Sequence, residues 1–412
     1  MKRILHILVT AALVILTTAC DGWFSPDKPE KRMVLLYIAA TEMSLSPYAE
    51  GNIADMLNGY VPDRNSKTEE LLVFFQNRDS ESSTTRSKGT LSRYYTNRSG
   101  KIVQEIIATY DETFDACTAE SLEQVLAAAE AACSPTYRSL LLSSHGTGWM
   151  PAGYFDNGGE SVMMGLAKRS SADSDYSELS RMRVRESIGY DAVTKNEINI
   201  SEFAAVLGKY HWDALLLDCC YMGTIEVAYE LRNCAEWIIA SPTEILITGF
   251  PYPILLDNLF TAGSKGLETI CQKYYELYQG QSGQLQSGTI ALVHCTELEP
   301  LAQLCSRIVS ENRSAVSTVK RLDVQHYFYK SNKDFFFDFE HYFSQFTPDD
   351  SFASFQTQLK KAIPCSYATE KFLGVPMEHF CGVSCYIPSV SYPKLNAFYS
   401  QLAWNQTVKI IE

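Results

Sequence analysis

The sequence predicts an α/β fold, a mostly parallel sheet flanked by helices, and three observations predict it. Short apolar runs recur along the chain, they lack the polar alternation of a half-exposed sheet, and segments of helical periodicity lie between several of them. The runs are RMVLLYIAA (32–40), ELLVFFQN (70–77), YRSLLLSS (137–144), WDALLLDCC (212–220), EWIIAS (236–241) and GTIALVHC (288–295). Each suits a strand covered on both faces. In TAESLEQVLAAAEAAC, Leu122, Val125, Leu126 and Ala129 form one apolar stripe, and Thr118 stands where a helix cap belongs. SEFAAVLGKY and GTIEVAYELRN have the same character. With 412 residues and 46% hydrophobic content the chain can bury a large core, and 12% aromatics argue against disorder. A net charge of −13 makes nucleic acid a poor partner.

The first residues are a separate object. MKRILHILVTAALVILTTAC has a basic start, an apolar middle and small residues at its end, so residues 1–19 read as a signal peptide. LTTAC resembles a loose bacterial lipobox, with Cys20 as the lipidated first residue and 20–32 as a polar tether. No later stretch reaches the roughly 18 apolar residues of a membrane span. The expectation is an extracytoplasmic protein, periplasmic or on the cell surface, that meets a bacterial membrane only through its N-terminal lipid. Eleven cysteines follow Cys20, many in apolar contexts, and most read as buried free thiols in a chain this long.

The strand–helix rhythm defines a catalytic domain over 33–295 and fades beyond it, leaving a C-terminal subdomain over 296–412 packed on the first. RDSESSTTRSKG (78–89) reads as an exposed loop, and the longest irregular stretch runs from about Met150 to Tyr190. The aromatic-rich DFFFDFEHYFSQF and one late strand, GVSCYIPS, mark the C-terminal part.

Ligands of an open parallel sheet bind at the carboxyl ends of its strands. Two strands here end in reactive tips: SLLLSSHGTGW at His145, and DALLLDCCYMG at Cys219 and Cys220. An imidazole can take the proton of a thiol and so activate it. A helix starting at about Thr224 would favour the thiolate. Gly146 and Gly148 leave room for a substrate backbone, and amides near Gly146 and Cys220 could form an oxyanion hole. Taken singly, a strand-end histidine is more often structural, and a cysteine after three leucines more often core. HFCGVSC (379–385) lacks the fourth ligand of a structural zinc site and reads as a core strand, so no metal site is assigned.

Several blocks carry a family resemblance. SLLLSSHGTGW resembles the His-Gly block of clostripain-like cysteine peptidases, and ALLLDCCYMGTIEVAYELR resembles their Asp-x-Cys-x-Met-Gly block and the helix that follows. VLLYIAATEMSLSPYAEGNIADM and GVSCYIP resemble their opening and late strands. The resemblance implies a caspase-like α/β fold and a Cys/His dyad that hydrolyses polypeptide substrates through an acyl-enzyme. His145 would be the general base and Cys220 the nucleophile. Alternation along the strand agrees, because it sends Asp218 and Cys220 to one side and Cys219 to the other. A vicinal disulfide between the two cysteines would silence the enzyme.

The family's acid at the position of Asp218 helps line a pocket for Arg or Lys before the scissile bond. In SPTEILITGFPY the acid Glu244 is kept, but Thr248 stands where a second acid is expected, and Ser143 and Ser144 replace Trp-Asp before the histidine. Self-cleavage in the loop after the histidine would fall at Lys168 or Arg169. The chemistry needs no cofactor. Some family members use calcium, for which Asp156, Glu160 and Asp191 are available, although no loop has a calcium-binding spacing. Two other readings stand beside this one: a catalytically silent peptide- or glycan-binding surface lipoprotein, and a peptidase with non-basic specificity.

Overall fold

The structure is a computed structural model that describes residues 30–41, 45–78, 85–154, 188–191, 193–261, 263–327 and 335–412. Residues 1–19, Cys20, Asp156, Glu160, Lys168 and Arg169 lie outside the described residues. The six apolar runs all form strands. They are β1 (Arg32–Ala40), β2 (Glu69–Asn77), β5 (Tyr137–Ser143), β6 (Trp212–Asp218), β7 (Ala235–Ala240) and β8 (Thr289–His294). With β3 (Gly89–Thr96), β4 (Ile102–Tyr110) and β10 (Cys365–Ala368) they build a nine-stranded sheet in the order β10-β8-β7-β6-β5-β1-β2-β3-β4.

The five central strands run parallel and antiparallel strands extend both edges. The central alternation is clean. On β1, Met33, Leu35, Tyr37 and Ala39 enter one core while Val34, Leu36, Ile38 and Ala40 enter the other. A strand so divided is buried on both faces, which is why its sequence shows no polar period.

Helices cover both faces. The first core packs α2 (Ala119–Cys133), α3 (Ile200–Leu207), α4 (Ile225–Leu231), α6 (Leu298–Glu311) and α7 (Asp349–Ala362). The second packs α1 (Ser46–Leu57) and α5 (Ser264–Gln279). Thr118 caps α2 as expected, accepting from the Ser121 amide.

Residues 296–412 share the first core and donate β10 to the main sheet. Their remaining strands are short. β9 (Phe337–Asp338) pairs with β13 (Ser384–Cys385), and β11 (Lys371–Phe372) pairs with β12 (Val375–Pro376). The eleven described cysteines are free thiols, and all but Cys220 and Cys365 are buried. Among the described residues no helix is long and apolar enough to cross a membrane.

Candidate active site

β5 and β6 are parallel neighbours with Ser143 beside Asp218. The chain therefore leaves both strands at the same edge, His145 and Cys220 each two residues beyond. The two residues line one cleft together with Ser143, Ser144, Asp218 and Cys219, and α1 supplies a wall through Tyr48 and Asn52. Glycine lets the two tips meet. A Cβ on Gly146 would stand 2.6 Å from the Cys220 carbonyl oxygen and 2.8 Å from the Cys219 Cβ. Only a residue without a side chain brings the His145 tip this close to the Cys220 backbone.

The Cys220 tip is held in an unusual conformation. Tyr221, directly after Cys220, is a buried non-glycine at φ 59°. That region is sparsely populated and needs outside support. The Tyr221 amide donates to the Thr243 carbonyl at 2.8 Å, the Gly223 amide donates to Ser241 at 2.7 Å, and the Tyr221 ring stacks on Phe336 at 4.6 Å. The turn points Cys220 into the cleft, half-buried, where its Sγ accepts from the Ile245 amide at 3.3 Å. Thr224 caps the helix that follows, accepting from the Val227 amide.

Cys219 faces the other way. Its thiol meets the Leu142 carbonyl at 3.6 Å inside the first core. Burial, and then the charge of Asp218, push that thiol well above its ordinary value, so it does not ionise. No bond joins the two thiols.

The base tip is anchored on β1, where Ser144 Oγ donates to the Ala39 carbonyl at 2.9 Å. The Gly189 amide donates to the His145 carbonyl at 3.1 Å, and the Tyr190 ring meets the imidazole edge to face at 6.3 Å. Behind them, Arg86 binds Asp191 through Nε at 2.6 Å and Nη2 at 3.0 Å. Asp191 Oδ1 also accepts from the amides of Val193 and Thr194. The carboxylate once available to calcium is thus committed to a buried guanidinium. Among the described residues no group of three or more His, Cys, Asp or Glu could hold a metal.

Asp218 is buried at the edge of the cleft. Tyr252 Oη donates to its Oδ2 at 2.5 Å, and Ser143 and the Phe250 amide add further bonds. Burial pushes the carboxyl up to about 6, against the pull of those donors. Gly249, at φ 66°, lies against the carboxylate, and a Cβ there would stand 2.9 Å from Oδ2. Glu244 is buried behind the nucleophile, accepting from Tyr221 Oη at 3.1 Å, and Thr248 is exposed on the same loop.

Two contributors had no sequence signal of their own. The Ile245 amide is a backbone group in an apolar run. Tyr252 is one tyrosine among 24. The late strand, legible as a strand, also clamps both tips. The Ser384 amide donates to the Gly223 carbonyl at 2.9 Å and the Tyr386 amide to Glu226 Oε1 at 2.8 Å. Trp149, from the His145 loop, packs on Tyr386 at 5.0 Å and Tyr399 at 5.3 Å.

The comparisons with known proteins identify the family. The model of the clostripain family, Peptidase C11, matches residues 36–161 and 170–362. The protein belongs to the clostripain family. It is therefore a cysteine peptidase. Among solved structures, an inactive zymogen C11 protease from Parabacteroides distasonis is 27% identical, with a TM-score of 0.73 over 92% of this chain and 99% of its own. A secreted C11 cysteine protease from Bacteroides thetaiotaomicron, solved in complex with an irreversible peptide inhibitor, shares the fold at 23% identity, with the same TM-score and coverage. No curated protein matches the chain. The clostripain fold accounts for the large central sheet.

Proposed function

We propose that this clostripain-family enzyme is an endopeptidase in which Cys220 attacks the peptide carbonyl and His145 carries the proton. The reading rests on the meeting of the two strand tips, with Gly146 against the Cys220 backbone. The Cys220 thiol gives its proton to the imidazole, and Sγ bonds to the carbonyl carbon. The amides of Gly146 and Cys220 stabilise the oxyanion. His145 returns the proton to the leaving amine, and water then hydrolyses the acyl-enzyme. The chemistry needs no cofactor, and chelation with EGTA in the same assays reports any calcium requirement.

The substrate is a polypeptide, a reading supported by the peptide inhibitor bound to the Bacteroides thetaiotaomicron protease. Cleavage follows Arg or Lys, with Asp218 facing the basic side chain. Because its carboxyl titrates near 6, this preference has a pH signature. Above that pH Asp218 is ionised and pairs with a cation. Below it the neutral acid gives no charge pairing. In a fluorogenic library varied before the scissile bond, the ratio of kcat/KM for Arg over norleucine should fall as pH drops from 8 to 5. Asp218→Asn should flatten it by about tenfold or more at pH 8. A pH-independent ratio near one would discard the basic pocket. A pocket for an uncharged residue is the second reading, motivated by the Tyr252 bond to Asp218 and by Thr248 in place of a second acid.

The enzyme is placed outside the cytoplasm on a lipid anchor at Cys20, after removal of residues 1–19. Cys20→Ala should move the protein from the membrane fraction to the soluble fraction. Unchanged fractionation and no incorporation of a labelled fatty acid would overturn the anchor.

A further inference from the structure

We propose that Cys271 and Cys365 form a disulfide that staples α5 to the edge strand β10, a modification distinct from the catalytic thiol. Two contacts set the pair in register. On α5, Cys271 and Tyr275 lie one turn apart and so share a face. On β10, Cys365 and Tyr367 lie two residues apart and point to the same side. Both thiols pack into the second core, Cys271 inside it and Cys365 at its edge, and beside them the Tyr275 and Tyr367 rings stack at 5.6 Å and 24°. The neighbouring pair Cys219 and Cys220 has no such arrangement, since one thiol meets the Leu142 carbonyl and the other the Ile245 backbone.

The two cysteines differ in a way that suits stepwise oxidation. Cys271 is buried, whereas Cys365 is half-buried on the outermost strand of the sheet. The neighbouring Cys271 thiol pulls the Cys365 thiol below its ordinary value, against the effect of burial. Cys365 is therefore the thiolate an oxidant reaches first. With a low-molecular-weight disulfide as oxidant, Cys365 attacks one of its sulfurs and expels one thiol. Cys271 then gives up its proton, attacks the Cys365 sulfur of the mixed disulfide and expels the second thiol. Two protein thiols are oxidised to one disulfide, and the oxidant is reduced to two thiols.

The staple acts on the cleft through α5. Tyr278 of that helix donates to the Gly249 carbonyl at 2.9 Å and meets Leu246, and Tyr274 packs on Phe250 at 5.3 Å. These residues belong to the loop whose Ile245 amide meets Cys220 and whose Tyr252 holds Asp218. Closing the long intervening segment of chain restricts the unfolded state and stiffens this wall.

The test uses the full chain carrying Cys220→Ala, so that neither self-cleavage nor oxidation of the nucleophile interferes. It is incubated with oxidised glutathione, alkylated under denaturing conditions and mapped by mass spectrometry. The expected result is the loss of two hydrogens from the intact mass and a cross-linked peptide joining Cys271 to Cys365. Tm should rise by several degrees and fall back with dithiothreitol. Adding Cys365→Ser should abolish the cross-link and the Tm rise while leaving the Tm of the reduced protein unchanged within about two degrees. Recovery of both cysteines alkylated, a glutathione adduct that stops at Cys365, or a cross-link between other cysteines would overturn the proposal. A misfolded double variant would not rescue it, because the cross-linked peptide is read in the parent protein.

Discussion

Cys220→Ala lowers peptide hydrolysis by on the order of 10⁵-fold, to near the uncatalysed background, while Cys219→Ala keeps most of the activity. The asymmetry follows from where the two side chains point. Cys220 lines the cleft and takes a hydrogen bond from the Ile245 amide, whereas Cys219 is buried against the Leu142 carbonyl with its thiol held protonated. His145→Ala should cost a similar factor, and the double variant little more, because nucleophile and base act as one unit. The measurement is kcat/KM on the best library substrate, with intact mass recorded beside it. The Cys220→Ala protein should also remain one chain, uncut at Lys168 and Arg169. Equal losses in the two cysteine variants would remove the assignment of the nucleophile.

Arg86→Ala is expected to cost about 3 kcal/mol of stability at pH 7, because it strands a buried carboxylate. The Arg86 and Asp191 side chains are 6% and 0% exposed, and the guanidinium also meets Asp115 at 3.3 Å. Burial alone would raise the Asp191 carboxyl. The bond from Arg86 and the amides of Thr194 and Val193 outweigh it and hold the group below its usual range. A depressed acid contributes stability that is present above its unfolded pKa and is lost as pH falls through the folded value. The gap in Tm between wild type and Arg86→Ala should therefore be full at pH 7 and close below about pH 4. Activity should fall too, since Tyr190 and Gly189, beside Asp191, touch His145. A stability gap that is flat with pH would show that packing, not charge, accounts for the loss.

Much of this was legible in the sequence because the central strands are buried twice over. Six uninterrupted apolar runs can satisfy both faces of a sheet only inside a layered α/β fold. The flanking hairpin was less visible. β4 reads nine exposed or partly exposed residues in mixed order, so neither a period of two nor an apolar run betrays it. The Cys220 thiol and the His145 imidazole stood out because their strand tips carry glycines and a familiar block. The surroundings of Asp218 did not. Ser143, Gly249, Phe250 and Tyr252 come from two distant segments, and only their convergence buries Asp218, which is what pushes its carboxyl up to about 6. Likewise Arg86 lies in a stretch that reads as polar loop, and its burial depends on Asp191, far along the chain.

The clamp of β13 on both tips sets an order of events during synthesis. Residues 145 and 220 leave the ribosome well before residues 384–386, which tie down Gly223, Glu226 and, through Tyr386, Trp149. A nascent chain thus carries its thiol and imidazole while the strained turn at Tyr221 has yet to gain its last supports. The cutting edge is therefore set only once residues 384–386 have joined the fold.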